Sequence, residues 1–447
     1  MKDKKVEASA VPSARLSRLA RLGGMASGIA GNILAEGVRQ LAQGKRPSVS
    51  DLLLTPKNAQ RIADQLAQMR GAAMKLGQML SMDAGDLLPP ELTAILGRLR
   101  SEAHHMPREQ LMKVLNKAWG KGWEAQFAEF DFTPVAAASI GQVHAARTHD
   151  GEKLAIKVQY PGVRQSIDSD VANVVSLLRM AGLVPRSLDI DPLVEEAKRQ
   201  LHEEADYVKE GKHLAHYGEL LAGSDDFVLP RVVEEFTRKN ILAMSFIDGT
   251  PIEDQLSAPQ ARRDRLGTLL FSLLVREMFE FRRVQTDPNF ANYRYDPVSD
   301  RLVLLDFGAT RVYRKDRIEA YHRLLSAGMH EDRAALESAA RDIGYFQADS
   351  LPRHKDVVID IFMIACEPLR HAGTYDFGQT DMARRINSLG MELGFDRDYW
   401  HTPPVDAIFL HRKIGGVYLL AARLQARVDV RACFLTASSA GGKKPAL

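Results

Sequence analysis

Asp287, Asn292 and Asp306 are the residues of this chain whose types and spacing point most directly to chemistry. The first two lie in Gln285-Thr286-Asp287-Pro288-Asn289-Phe290-Ala291-Asn292, with four residues between them. The third ends the apolar run Leu302-Val303-Leu304-Leu305 and opens an Asp-Phe-Gly. A triphosphate is strongly anionic, and its phosphoryl group moves only when divalent cations neutralise the developing charge. Asn292 and Asp306 offer the hard oxygens that Mg²⁺ takes. Asp287 is placed to orient an attacking hydroxyl or water and to accept its proton. A lone aspartate in a loop is usually a turn or cap residue. Three residues in this order, joined by a short hairpin, outweigh that reading and predict phosphoryl transfer.

A second tripeptide, Asp376-Phe377-Gly378, serves as a control. No apolar strand leads into it and no Asp-x4-Asn precedes it, so it reads as a turn. Upstream, Lys153-Leu154-Ala155-Ile156-Lys157-Val158 puts a lysine in an apolar strand, where it can pair with the α- and β-phosphates. The alternative is an edge-strand lysine facing solvent. Before it, Ala136-Ala137-Ala138-Ser139-Ile140-Gly141-Gln142-Val143 occupies the place of a glycine-rich phosphate loop, but with alanines that restrict φ more than glycine does. Such a lysine needs an acidic partner, and His202-Glu203-Glu204-Ala205-Asp206-Tyr207-Val208-Lys209-Glu210 offers several.

These residues need elements to hold them. Helical spacing runs through Thr55–Asp83, Glu91–Ala103 and Arg108–Ala118, the last entered through Pro107. After Trp123 the pattern changes. Phe127–Pro134 alternates as a strand, Val135–Gly141 is a loop, and Val143–Arg147 and Lys153–Gln159 flank a turn at His149-Asp150-Gly151. Ile167–Ala181 and Pro192–Tyr217 read as helices, and Phe227–Val233 and Asn240–Phe246 as strands. From Pro251 helical periodicity dominates, as in Ala261–Phe281, interrupted by short strands over Phe290–Phe307.

Taken together, the chain resembles the ABC1/UbiB family of atypical kinases, the coenzyme Q kinases and their bacterial relatives, from about Arg15 to Phe434. Lys75-Leu76-Gly77-Gln78 is similar to the family's KxGQ motif, Ala136–Gly141 to its alanine-rich loop and Glu204-Ala205-Asp206 to its ExD motif. Leu410-His411-Arg412-Lys413-Ile414-Gly415-Gly416 resembles a late family segment. The resemblance implies an α+β, bilobal protein-kinase-like fold with an N-terminal helical KxGQ extension. The expected parts are a basic arm over 1–50, the extension over 51–122, a strand-rich lobe over 123–247, a helical lobe over 248–436 and a loose tail over 437–447.

It also implies cofactors, ATP or ADP with Mg²⁺. Ala136, Ala137, Ala138, Ser139, Ile140, Gly141, Val143, Lys157, Glu210, Met244 and Phe246 are the expected nucleotide set. Asp287, Lys157 and Lys75 are the expected catalytic set, with Asn292 and Asp306 on the metal. Lys75, Gly77 and Gln78 are expected to obstruct a peptide site, with Lys75 near Glu204 and Asp206, which leaves Glu210 as the first choice of partner for Lys157. The implied role is an ATPase or atypical kinase supporting ubiquinone biosynthesis, its partners being proteins or lipid intermediates of that route. Phosphotransfer to a protein or small molecule, or nucleotide binding without turnover, stay open.

The charge pattern refines this. The chain has 447 residues and a net charge of +3, a balance that argues against a nucleic-acid partner. Residues 1–50 carry nine basic and three acidic residues, net +6, which leaves −3 for the rest. Arg15, Arg18 and Arg21 share one helix face, so the arm reads either as an interfacial helix or as a loose basic segment. An anionic membrane surface is therefore an expected partner. No run of 18 apolar residues predicts a spanning helix. Gly23, Gly24, Gly28 and Gly31 dilute the apolar stretch that a signal peptide would need. The expected location is cytoplasmic, or on the matrix side of the mitochondrion and peripheral on its inner membrane. Two cysteines, Cys366 and Cys433, exclude a disulfide framework.

Overall fold

The computed structural model describes residues 71–72, 105–180, 190–287, 289–347, 350–395 and 403–440. The arm over 1–50, Lys75, Gly77 and Gln78, and the helices expected over Thr55–Asp83 (save Gly71 and Ala72, which are helical) and Glu91–Ala103 lie outside these residues. The chain divides into two compact units, Met1–Gly211 with Val232–Phe246, and Lys212–Arg231 with Ile247–Leu447.

The first unit opens with α1 (Arg108–Trp119), whose N-cap position is Pro107. Short strands β1 (Glu129–Phe130) and β2 (Ala136–Ala137) precede the hairpin of β3 (Gly141–Arg147) and β4 (Lys153–Gln159). Gly151 turns that hairpin at φ 90°, a left-handed conformation that glycine adopts without a steric cost. Then come α2 (Val163–Met180), α3 (Asp191–Glu204) and the start of α4 (Tyr207–Leu220); the chain leaves this unit over Lys212–Arg231, which carries β5 (Phe227–Val228), and returns to it with β6 (Ile241–Ser245). The antiparallel sheet runs β1-β3-β4-β6, with β2 also on β3. Leu111 and Leu115 of α1, Trp123, Phe127, and Leu154, Ile156 and Val158 of β4 form one buried core. Removing such apolar area from water is what holds the sheet under α1.

Four expectations change here. The alanine loop is partly strand, because Val135 N–H donates to Val143 O (2.8 Å) and Ala138 N–H to Gly141 O (2.9 Å). That pairing lengthens β3 back to Gly141. The single helix expected over Pro192–Tyr217 is two, α3 and α4, because the Asp206 carboxylate caps α4 by accepting from Lys209 N–H at 3.0 Å. The strand expected over Phe227–Val233 is only Phe227–Val228, with Val232 bridging to Met244 instead. Finally, Lys212–Arg231 groups with the second unit rather than with the strand-rich one, since β5 pairs in parallel with a later strand.

The second unit holds β7 (Thr250–Pro251), the long α5 (Gln260–Phe279), β8 (Arg283–Gln285), β9 (Tyr293–Asp296), β10 (Arg301–Leu304) and β11 (Thr310–Val312). Helices α6 (Lys315–Met329), α7 (Arg333–Ile343), α8 (Pro352–Ala365) and α9 (Glu367–Arg370) follow, then β12 (Tyr375–Asp376), α10 (Met382–Phe395), α11 (Val405–Leu424), β13 (Arg427–Val428) and α12 (Val430–Ala440). The sheet order is β5-β10-β9-β7, with separate pairs β11-β8 and β12-β13. Helix α5 is buried on most sides, through Leu266, Leu270, Phe271, Leu273 and Leu274 among others. Gly267 permits its closest approach: a Cβ there would meet Ala426 Cβ at 2.6 Å and Val428 Cγ2 at 2.8 Å. The tail expected to be loose from 437 is helical as far as Ala440. No helix among the described residues is long and apolar enough to cross a membrane.

Both cysteines are free. Burial pushes the Cys366 thiol up to about 12 and the Cys433 thiol up to about 11.

Candidate functional site

In the first unit, β4 lies between β3 and β6, so Lys157 stands on an interior strand and is only 8% exposed. The edge-strand reading is thereby removed. Across the sheet Lys157 pairs with Val143 on one side and Leu242 on the other, and Ala155 pairs with Met244. Side chains two apart on a strand share a face, so Val143, Lys157 and Met244 line the same face of the sheet. Lys157 Nζ is 2.7 Å from Glu210 Oε1, and Glu210 is 3% exposed. The pair is held from one side by Tyr207, whose ring centre lies 5.1 Å from Lys157 Nζ. Phe246 sits at the end of β6, its ring 3.7 Å from Lys153 Nζ.

The alanine loop carries Ala136 and Ala137 in β2, both exposed, and turns through Ala138, Ser139 and Ile140 into Gly141. Ser139 Oγ donates to Glu204 Oε2 at 3.1 Å. Gly71, which is helical, is packed on this same turn: a Cβ there would meet Ile140 Cγ2 at 2.9 Å and Ser139 O at 3.3 Å. The two ExD acids therefore do different things. Glu204 holds the loop, and Asp206 is a helix cap.

In the second unit, β8 delivers Asp287 and β9 begins just after Asn292. Asn292 Nδ2 donates to Asp287 Oδ2 at 3.0 Å, and Leu305 N–H donates to Asn292 O at 3.1 Å. Thr286 fastens to the segment after Asp306, donating to Ala309 O from both its N–H (2.9 Å) and its Oγ1 (2.7 Å). Asn289 accepts from Ala291 N–H at 3.2 Å and closes the turn between Asp287 and Asn292. Asp306 Oδ1 accepts from Gly308 N–H at 2.9 Å, and Phe307 is buried against the Tyr217 ring with centroids 4.6 Å apart.

The three residues are thus gathered by backbone ties, not merely near in sequence. The fit to Mg²⁺ rests on two observations. Asn292 uses its nitrogen on Asp287, which leaves its oxygen for a cation. Asp287 Oδ1 is buried with no hydrogen-bond partner among the described residues. No larger group of His, Cys, Asp or Glu is gathered for a metal among those residues. Mg²⁺ needs only one or two carboxylates, since it keeps several waters.

The control is a turn only from Phe377, since Asp376 ends the two-residue strand β12 where no strand was expected. Asp376 Oδ1 accepts from Gly378 N–H at 2.9 Å, the same local bond that Asp306 makes. Phe377, however, packs on Phe271 and Tyr418, and Asp376 faces Arg427 at 3.5 Å.

Sequence reasoning missed what lies behind the segment that carries Asp287 and Asn292. Lys413 Nζ is 3.0 Å from Glu277 Oε2, each side chain 1% exposed. Lys413 also donates to Tyr293 Oη at 3.0 Å and to Gln285 Oε1 at 3.5 Å. Glu277 Oε1 accepts from Gln285 N–H (3.1 Å) and from Tyr217 Oη (2.8 Å). Burial works against the ammonium, yet the carboxylate of Glu277 and the Tyr293 hydroxyl hold Lys413 above the ordinary lysine range. Burial, with Glu277 beside it, raises the Tyr217 phenol well above its usual value. The signal was available: Glu277 interrupts the apolar run of α5, and Lys413 falls in the buried phase of α11.

Residues 98–340 match the ABC1 atypical kinase-like domain. The mitochondrial atypical kinase COQ8 of Saccharomyces cerevisiae is 36% identical over 432 residues, covering 96% of this chain and 86% of that protein. The mitochondrial atypical kinase COQ8B of Rattus norvegicus is 38% identical over 426 residues, covering 95% and 80%. Among solved structures, the Rv3197–erythromycin complex from Mycobacterium tuberculosis shares the fold, with a TM-score of 0.57 and 22% identity over 84% of this chain and 94% of that one. With its mixed helix-and-sheet, kinase-like fold, the chain belongs to the ABC1 atypical kinase family.

Proposed function

We propose that the chain binds Mg-ATP and cleaves its terminal phosphate, as an atypical kinase or ATPase supporting coenzyme Q biosynthesis. The observation that carries the reading is the gathering of Asp287, Asn292 and Asp306, with one buried Asp287 oxygen left without a hydrogen bond. Lys157, charged and anchored by Glu210, binds the phosphate chain, and the alanine loop meets it with backbone groups. Val143 and Met244 offer apolar surface for the base. Asn292 and Asp306 hold Mg²⁺, which when bound neutralises charge on the phosphate oxygens. Asp287 accepts the proton of the attacking hydroxyl or water.

Support for the pathway comes from relatives whose names are COQ8, COQ8B and coq-8, all mitochondrial. Those names also favour a mitochondrial location over a cytoplasmic one. The closeness of Gly71 to Ser139 and Ile140 supports an N-terminal helix that runs beside the nucleotide loop and bars peptide substrates, with water or a small molecule as acceptor. The test is phosphate release from Mg-ATP by the purified chain and by Asp306→Asn. We expect slow release by the wild type and at least a ~100-fold loss in the variant, as for removal of a key electrostatic group. Undiminished release in the variant would overturn the metal assignment.

A further inference from the structure

Buried ion pairs are poor sources of stability, because taking both charges out of water costs about as much as their attraction returns. The Lys413–Glu277 pair is as buried as any in the second unit, and its remaining bonds are not scattered. Glu277 takes the backbone N–H of Gln285, two residues before Asp287. Lys413 takes the hydroxyl of Tyr293, the residue after Asn292, and the side chain of Gln285. The pair therefore grips the catalytic segment at both ends, from α5 on one side and α11 on the other. The same carboxylate accepts from Tyr217, which packs on Phe307 next to Asp306.

We propose that Lys413 and Glu277 are positioning residues that set the separation of Asp287 and Asn292 by clamping Gln285 and Tyr293. The proposal rests on the phosphoryl-transfer reading of those two residues. It gives the late segment Leu410–Gly416 a role: Lys413 acts from α11 without touching the nucleotide.

The test needs a variant that removes the Lys413 half of the clamp without stranding a buried charge. Glu277→Gln with Lys413→Met does so, keeping an amide for the Gln285 N–H and an apolar chain of similar length. Hydrogen–deuterium exchange over residues 286–292 is read beside phosphate release. We expect the double variant to fold, to exchange at least ~10-fold faster in this segment alone, and to lose about 10-fold in kcat with ATP KM changed less than ~3-fold. Unchanged exchange in the folded variant overturns the proposal, as does acceleration spread evenly over the second unit, which is what a merely structural role gives. Should the double variant not fold, Tyr293→Phe cuts the clamp at one end with the ion pair intact, and the same exchange readout decides. Faster segmental exchange in a chain whose wild type releases no phosphate would retain the clamp and reject the catalytic reading.

Discussion

Gly141 has no room for even a methyl group, since a Cβ there would meet Val158 O at 2.3 Å and Tyr207 Oη at 3.0 Å. Both obstacles belong to the framework around Lys157, so neither yields freely. Overpacking of this kind costs about 1–3 kcal/mol. Gly141→Ala is expected to lower the melting temperature and to shrink the further rise given by Mg-ADP; melting curves matching the wild type in both conditions would show that the hairpin absorbs the methyl. The grouping of Asp287, Asn292 and Asp306 was legible at this scale because its order is encoded within a short, local stretch. The partner of Lys157 was legible only through the family resemblance. The run Glu203 to Glu210 contains four acids, and which one faces β4 depends on where α3 ends and α4 begins. Glu277 and Lys413 each left a local mark, a charge within an apolar helix face, but their pairing was not legible, because 135 residues of chain lie between them.

The break between α3 and α4 is the main departure at the scale of elements. Periodicity carries straight through His202–Leu214, so nothing in the apolar pattern marks a boundary. The mark is chemical: an aspartate whose side chain reaches the N–H three residues on. Losing such a cap costs about 0.5–2 kcal/mol, whereas serine restores it. Asp206→Ala should therefore melt earlier and Asp206→Ser close to wild type. Equal losses in the two would mean that Asp206 matters as a charge and not as a cap. A second element-scale effect sits in α11, where the His411 ring stacks on Tyr345 at 5.3 Å and 6°. Burial lowers the pKa of His411 to about 4, so the native state keeps it neutral. The unfolded chain takes up that proton near pH 6.5. Stability is thus nearly intact well above pH 6.5 and drains away as pH falls towards 4, by roughly 1.6 kcal/mol between 6.5 and 5. Denaturant midpoints at the two pH values should differ less in His411→Phe; an identical difference would remove His411 as the cause.

For the whole molecule, the distribution of charge says more than its total. A near-neutral +3 divides into +6 over residues 1–50 and −3 over the rest. Each Lys or Arg near an anionic bilayer is worth about 1 kcal/mol, an attraction that salt screens. The full chain is expected to co-sediment with phosphatidylserine-containing vesicles at low salt, and deletion of residues 1–50 should weaken this at least ~10-fold. Equal sedimentation of both chains would move any lipid contact elsewhere. The fold class was legible because strand-rich and helix-rich stretches follow each other in order. The grouping of Lys212–Arg231 with the second unit was not, since a two-residue parallel pairing leaves no mark on the local pattern. The two free thiols have a consequence for anyone watching this molecule move. With values near 12 and 11, Cys366 and Cys433 expose less than about one thiolate in a thousand at neutral pH. A maleimide dye would pass them by and take a cysteine introduced at Val298, which is 94% exposed in the turn between β9 and β10. The native chain thus supplies a dark background on which one fluorophore can be read.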